Sequence, residues 1–264
     1  MKTKRTYLNA YGPANLFELT SLIDEFIAET ELINGSVMIF SVGSTGALVQ
    51  LGADNKEAFS DWVMSFIPYS GKHRHPGNAF AHLRSTALGS SYALTVESKK
   101  IKNTSGFYLL ENTAGRKQRP LELRAFGEFA AGGRLNMKVA SNTLPVKANG
   151  WIDIVELSEV AADVVFESGI IDGFLNIESL AKKSAISTTE YEGALLQDTA
   201  DFIAEAVSDV EETSRGDVAA ALIGRSMNFP IKGGRLELGT WQQPVFLDFG
   251  EPGEKEIFFQ AIGM

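Results

Sequence analysis

The chain has 264 residues, which is enough for one large domain or for two of roughly 130 residues. Apolar residues make up 44% and aromatic residues 10% of the sequence, so it can bury a core and is not a disordered chain. The net charge of −9 argues against partners such as nucleic acid or an anionic membrane. Without cysteine, any metal would need histidine, carboxylate, carbonyl or water ligands.

The first half of the sequence mixes strand and helix patterns. A strand is predicted at Arg5–Ala10, followed by a helix capped near Asn15 with apolar residues at helical spacing. The pair Asn34-Gly35 predicts a turn before a β-rich run at Ser36–Val42, and a second helix is predicted over Lys56–Ile67. The basic N-terminus leads into no apolar run of signal-peptide or membrane-span length, so we expect a cytoplasmic protein without a membrane partner.

The histidines of the chain are clustered within ten positions. They are His73, His75 and His82. Asn78 is a favourable N-cap for a short helix that ends at Gly89, which places His82 in the first turns of that helix. The fold can therefore bring the imidazoles of His75 and His82 to one point, where they would form a metal or acid–base site. The alternative is that they are solvent-exposed residues of a polar loop.

The second half of the sequence repeats the first. Phe17-Glu18-Leu19 aligns with Val155-Glu156-Leu157 at an offset of 138 residues, and Thr86–Gly89 aligns with Ala221–Gly224 at an offset of 135. The order and spacing hold along both halves. We interpret this as a tandem duplication with its join in the Gly-rich segment Gly127–Arg134, giving units 1–130 and 131–264.

The second unit has the same predicted element order as the first. Its predicted strands are Leu135–Ala140, Phe174–Leu180, Asn228–Ile231, Arg235–Thr240, Pro244–Phe249 and Glu256–Ile262, and its helices are one capped near Asp153, Leu196–Val210 and one ending at Gly224. Strands mixed with two or three helices per half predict an α+β fold. Each unit is expected to hold a mostly antiparallel sheet rather than a regular βαβ alternation.

Three stretches carry a family resemblance. Gly234-Arg235-Leu236-Glu237-Leu238-Gly239-Thr240-Trp241-Gln242 and the closing Glu256–Gly263 resemble signatures of the YjbQ-like family. Arg74-His75, followed by the run from Asn78 to Ser91, resembles the histidine-containing helix of the same family. Because that family consists of single domains of about half this length, the resemblance covers this chain twice.

The resemblance implies an α+β unit that assembles as a trimer, with clefts between subunits and a metal-like histidine site. The activity associated with the family is a secondary thiamine-phosphate synthase. We take it as an indication of a phosphorylated or otherwise anionic small molecule.

The sequence also departs from the family pattern. The first family histidine is replaced by Gly43 in one unit and is missing from the loop 181–185 in the other, whereas Glu190 falls on the family glutamate position. His75 and His82 are replaced by Val210 and Asp217 in the second unit. Neither half holds a complete family site.

Two interpretations follow. In the first, a composite site forms across the two halves, with His75 and His82 binding a divalent metal, most simply zinc, or acting as general acid and base. Their catalytic partner would be Glu190 or Glu111. In the second, the chain is a non-catalytic binding or structural paralogue that has lost the family site. In either case we expect a homo-oligomer, a trimer or a dimer.

Five further residues are predicted to bind ligand. They are Asn78, Ser44, Thr45, Gln242 and Asp248. Ser44 and Thr45 follow a predicted strand, where backbone N–H groups can hold a phosphate, although the same residues are common in ordinary turns.

Overall fold

A computed structural model describes residues 1–69, 72–102, 106–130, 132 and 137–264. The Gly-rich join predicted at Gly127–Arg134 and the start of the strand predicted at Leu135 fall partly outside these residues, so the boundary between 130 and 131 stays a prediction. The helices described here include none that is both long and apolar enough to cross a bilayer.

The first unit contains eight strands and three α-helices among the described residues. In chain order they are β1 (Lys2–Tyr11), β2 (Asn15–Glu18), α1 (Thr20–Thr30), β3 (Leu32–Ser41), β4 (Gly46–Leu51), a 3-10 turn (Ala53–Asn55), α2 (Lys56–Phe66), α3 (Ala79–Leu88), β5 (Ser91–Glu97), β6 (Lys100–Ile101), β7 (Gly106–Glu111) and β8 (Arg116–Phe129).

The second unit has the same order of strands and α-helices. These are β9 (Lys138–Ala148), β10 (Asp153–Glu156), α4 (Ser158–Ser168), β11 (Gly173–Ser179), β12 (Ser184–Thr189), α5 (Gly193–Ala206), α6 (Glu212–Ile223), β13 (Ser226–Lys232), β14 (Arg235–Leu236), β15 (Gln243–Asp248) and β16 (Gly253–Gly263).

Each unit folds into one five-stranded and one three-stranded antiparallel sheet. The large sheets have the orders β1-β8-β3-β5-β6 and β9-β16-β11-β13-β14, and the small sheets have the orders β2-β7-β4 and β10-β15-β12. Position by position these are the same topology. The structure therefore confirms the predicted α+β class with two similar units.

The predicted starts of the first helix in each unit were wrong. Asn15 and Asp153 begin short strands, β2 and β10, which pair with β7 and β15. The helices begin later, at Thr20 and Ser158. Phe17, which the spacing assigned to the first turn of the helix, lies in β2 and pairs across the small sheet. Pairing with a strand distant in sequence cannot be seen from local spacing.

The turn predicted at Asn34-Gly35 was also wrong, because β3 runs straight through it with a register shift between Leu32 and Asn34. Gly35 has a φ of +149°, and a Cβ there would collide with the backbone of Phe126 on β8. The glycine is thus required by the close approach of two strands rather than by a turn.

The two units bury their large sheets against each other. One face of the first sheet is covered by α1, through Ile23 and Phe26. The other face, with Met38 and Phe40 on β3, belongs to the same apolar cluster as the core of the second unit. Phe40 packs on Phe229 of β13 with ring centroids 6.1 Å apart. This shared core joins the halves into one structure.

Polar contacts fix the register between the units. The buried Gln242 accepts a hydrogen bond from the Gly43 N–H (2.8 Å) and donates to the Ser41 carbonyl (3.2 Å). Hydrogen bonds from side chains to backbone carbonyls also join helix α3 to β12. Thr86 donates to the Thr188 carbonyl at 2.9 Å, and Ser187 donates to the Thr86 carbonyl at 2.6 Å.

We predict that Gln242→Ala lowers the free energy of unfolding by about 1–3 kcal/mol, because it leaves buried backbone groups of the other unit without partners. Urea denaturation followed by circular dichroism measures the change. Gln118→Ala, at an exposed position on β8, is the matched control and should change stability by less than about 0.5 kcal/mol. Equal effects of the two substitutions would contradict the role given to Gln242.

Candidate metal centre between the units

Three side chains with metal-ligating atoms meet at the boundary between the units. They are His75 and His82 from the first unit and Glu190 from the second, and one ligand atom of each lies within 4.8 Å of the others. Nε2 of His82 is 3.5 Å from Oε2 of Glu190. Two imidazoles and a carboxylate suit a divalent metal and leave coordination positions open, as catalytic metal sites do.

Helix α3 positions His82. It begins after Asn78 and ends at Gly89, which has a φ of +80°, as the sequence predicts. The side chain of Asn78 does not cap the helix. Instead its Nδ2 lies 3.0 Å from Nε2 of His82, one turn further along. Asn78 therefore holds the ring of His82 in place.

Burial keeps His82 neutral. Only 3% of its side chain is exposed, and its pKa is lowered from 6.5 to about 4, chiefly by loss of solvation. Electrostatic interactions with His75, Lys117 and Arg119 contribute to the same lowering, and the backbone of Ser44 beside the ring opposes it. A neutral imidazole at pH 7 is the form that binds a metal.

The second unit positions His75. The buried carboxylate of Asp198 on α5 accepts hydrogen bonds from the backbone N–H groups of Arg74 (2.8 Å) and His75 (2.9 Å). Glu192 lies 3.0 Å from Nδ1 of His75. Engagement of one ring nitrogen by a carboxylate leaves the other for an ion, which is the usual arrangement around metal-binding histidines.

Glu192 also begins helix α5. Its carboxylate accepts hydrogen bonds from the N–H groups of Ala194 and Leu195. These N–H groups first, and His75 second, lower the pKa of Glu192 to about 2. Its negative charge is therefore retained across the physiological range.

Sequence reasoning missed Asp198 and Glu192. A signal existed for Asp198, because it shares the buried face of α5 with Leu195 and Thr199 at helical spacing. A charged residue on such a face is buried only when it has partners. Those partners come from a loop of the other unit, more than a hundred residues earlier in the chain.

Glu111, the other predicted catalytic carboxylate, lies in a buried ion pair. Arg119 donates to both of its oxygens, at 2.7 and 2.9 Å, and also donates to Oγ1 of the predicted ligand-binding residue Thr45 at 2.8 Å. Burial alone would raise the pKa of Glu111, but the hydrogen bonds and charge of Arg119 outweigh it and lower the pKa. The structure brings Glu190, not Glu111, to the imidazoles.

The remaining predicted residues lie in three places. Asn78 and Ser44 lie next to His82. Gln242 lies in the polar contact between the units, and Asp248 lies in a cleft of the second unit beside Lys255, whose Nζ is 3.6 Å from its Oδ2. Their roles in ligand binding stay predictions.

Comparison with known proteins matches both units to one family. The model of the family described as UPF0047 protein YjbQ-like matches residues 4–128 and, a second time, residues 142–264. A UPF0047 protein of Methanothermobacter thermautotrophicus is 27% identical over 135 residues, which are 48% of this chain and 94% of that protein. One of Archaeoglobus fulgidus is 26% identical over 127 residues, which are 45% of this chain and 98% of that protein.

Solved structures of similar proteins also align with about half of this chain. A YbjQ-like protein of unknown function from Sulfolobus solfataricus P2 is 24% identical, with a TM-score of 0.46, and aligns 49% of this chain with 100% of its own. A hypothetical protein from Aeropyrum pernix K1 is 23% identical, with a TM-score of 0.44, over 47% of this chain and 99% of its own. Since the family model matches twice in succession, the chain belongs to the UPF0047 YjbQ-like family as a tandem duplication of the family unit.

Proposed function

We propose that this protein binds one divalent metal ion, zinc by preference, between its two units and uses that centre to act on a phosphorylated small molecule. The observation that carries the proposal is the meeting of His75, His82 and Glu190, with their ligand atoms within 4.8 Å of one another. When bound, the ion would supply Lewis-acid activation of an oxygen atom.

The donor set supports zinc. Two imidazole nitrogens and a carboxylate oxygen are a common zinc set. His82 is neutral because it is buried, and Glu192 engages Nδ1 of His75, which leaves Nε2 of His75 for an ion. On His82, an ion at Nε2 would replace the contact with Asn78. The same set also suits iron(II), and metal analysis distinguishes the two.

Positive charge beside the histidines supports an anionic substrate. Lys117 and Arg119 are close enough to His82 to lower its pKa. Burial lowers the pKa of Lys117, and the charge of Arg119 lowers it further. The backbone of Ser44 also lies beside His82, and Oγ1 of Thr45 accepts a hydrogen bond from Arg119. The activity associated with the family, a secondary thiamine-phosphate synthase, is consistent with a phosphate-bearing substrate.

A second candidate is a binding protein without catalysis. The observation that favours it is the position of Gly43, where the family has its first histidine. A Cβ at Gly43 would lie 2.5 Å from Nη1 of Arg119, whose guanidinium is fixed by Glu111, and Gly43 has a φ of +111°. The space of the lost histidine is thus filled by an arginine, and this unit cannot regain the family's ligand set by one substitution.

We also propose that the protein associates into a trimer or a dimer. Several large apolar side chains are exposed on the chain, among them Phe166 at 82% and Val139 at 62%. A trimer or dimer that buried these side chains would remove their apolar surface from water. Light scattering during gel filtration distinguishes a trimer or dimer from a monomer.

We predict that the purified protein, made without a histidine tag, carries about one zinc or iron ion per chain. His82→Ala and His75→Ala should lose it, because a single imidazole and one carboxylate do not hold such an ion tightly. Elemental mass spectrometry after dialysis measures the content.

His73→Ala is the matched control, because His73 belongs to the same loop but not to the ligating group. It should keep the metal. A wild-type protein that takes up none of zinc, iron, cobalt or manganese would refute the proposed centre and favour the second candidate.

We predict that Glu192→Gln weakens zinc binding about 10–100-fold, since a carboxylate that orients a metal-binding histidine usually contributes that much. Glu205→Gln, an exposed position on the same helix, should leave the affinity unchanged. Competition with a chromogenic chelator measures both. An unaltered affinity in Glu192→Gln would show that His75 needs no such support.

We predict that acid destabilises the metal-free protein through His82. The folded pKa of about 4 lies below the ordinary 6.5, so the unfolded chain binds the proton more tightly and stability falls as pH drops from 6.5 to 4. The loss amounts to about 3 kcal/mol.

The charged or titratable groups that face His82 are His75, Glu190, Lys117 and Arg119, and they are retained in the control, His82→Gln. That variant should lack the part of the acid-induced loss of stability that comes from His82. Urea denaturation at pH 7 and pH 4.5 measures the difference between the two proteins. Parallel pH dependence of both would contradict the prediction.

A further inference from the structure

The second unit contains a cleft of about 500 Å³ at the place that corresponds to the histidine centre. The loop between β11 and β12, the end of β15, the start of β16 and the first turns of α6 form it. Its lining includes Trp151, Lys182, Lys183, Arg215, Asp248 and Lys255. Pockets of this volume accept a small organic molecule.

The repeat shows what has changed in this unit. At the offset of 138 residues, Lys182 and Lys183 stand where the first unit has Ser44 and Thr45. Asp248 pairs with the first residue of β12 as Glu111 pairs with the first residue of β4, so the two acidic residues are equivalent. Lys255 corresponds to Arg119 and forms the equivalent ion pair, with 3.6 Å between its Nζ and Oδ2 of Asp248. The position of His82 is held by Asp217, which lies 3.9 Å from Nζ of Lys183.

Besides the carboxylates of Asp217 and Asp248, the cations of the cleft contact backbone carbonyls. Nζ of Lys183 donates to the Thr213 carbonyl at 3.0 Å, and Nζ of Lys255 donates to the Glu251 carbonyl at 2.6 Å. The guanidinium of Arg215 likewise donates to the carbonyls of Val210 and Ser208. A carbonyl orients a cation without neutralising its charge.

Acidic side chains at the rim are exposed. They are Glu212 and Glu251. Lys182 is also exposed and extends from the loop at the mouth of the cleft. Neither acidic side chain forms an ion pair with Lys182 or Lys183 within the described part of the chain, so both lysines can contact an anionic ligand.

Asp248 adds a second requirement that a ligand of this cleft must meet. It is 1% exposed, and its Oδ1 accepts a long hydrogen bond from the Gly250 N–H at 3.4 Å. Its Oδ2 accepts no hydrogen bond within the described part of the chain. Its ion-pair partner, Nζ of Lys255 at 3.6 Å, lies beyond hydrogen-bond distance, so a hydroxyl group of a ligand can still donate to this buried oxygen.

We propose that this cleft binds a hydroxylated phosphate monoester, with the phosphate on Lys182 and Lys183 and a hydroxyl donating to Oδ2 of Asp248. The half-exposed indole of Trp151 lies along the carbon chain of the ligand. No metal takes part. None of the residues of the histidine centre is used, so this proposal stands independently of the function proposed above.

Isothermal titration calorimetry with glycerol 1-phosphate tests the proposal on the EDTA-treated protein. We expect one molecule bound per cleft. Propyl phosphate has the same length without hydroxyls and should bind about tenfold more weakly, because it leaves Asp248 unsatisfied. Equal affinities for the two ligands would overturn the role of Asp248.

Substitution locates the site. Lys182→Glu should weaken binding about tenfold or more, since it replaces a charge-assisted contact with repulsion. Lys232→Glu makes the same change of charge at an exposed position on β13 and should have no effect. Equal weakening by both, or no binding of glycerol 1-phosphate at millimolar concentration, would overturn the proposal.

One further variant separates the two sites. His82→Ala should leave the binding of glycerol 1-phosphate intact, because the cleft lies in the other unit. If His82→Ala abolished binding, the ligand would belong to the histidine centre, and the cleft proposal would fail while the proposed function stood.

Discussion

The packing of one unit against the other is the constraint on which the rest of this structure depends. The first large sheet has one face covered by its own helix α1 and a second face that packs into the apolar core of the other unit, as the contact of Phe40 with Phe229 shows. A single unit would expose that second face to water. The loop before α3 is therefore positioned by Asp198 of the other half, and the end of β3 by Gln242.

Duplication allowed the two copies of one site to diverge. In the first unit Arg119 is drawn into a buried pair with Glu111 and occupies the space next to Gly43, while the histidines reach across to Glu190. In the second unit, at corresponding positions, a longer and more weakly held ion pair borders an open cleft. We therefore propose that the same backbone supports a metal site in one copy and an organic-anion site in the other.

Burial provides much of the electrostatic character of both sites. His82 is neutral because a charged imidazole would lose its hydration, and the nearby positive charges act in the same direction. The pKa of Asp248 is raised, chiefly by burial, with Lys255 opposing the shift. In each case a titratable group is kept away from water by the packing of strand ends and a helix start, so the fold adjusts the chemistry as well as the positions of the side chains.

The sequence by itself determined the duplication, the α+β class, the family and the short helix that ends at Gly89, because periodicity, repeat spacing and terminal glycines are local signals. Only the tertiary structure decided that Glu190 rather than Glu111 meets the histidines, and that Asp198 holds the loop of His75. It also decided that Asn34-Gly35 lies within a strand. The physical reason is that these features depend on contacts between residues about a hundred positions apart, which sheet pairing and the packing of two units create and no local pattern encodes.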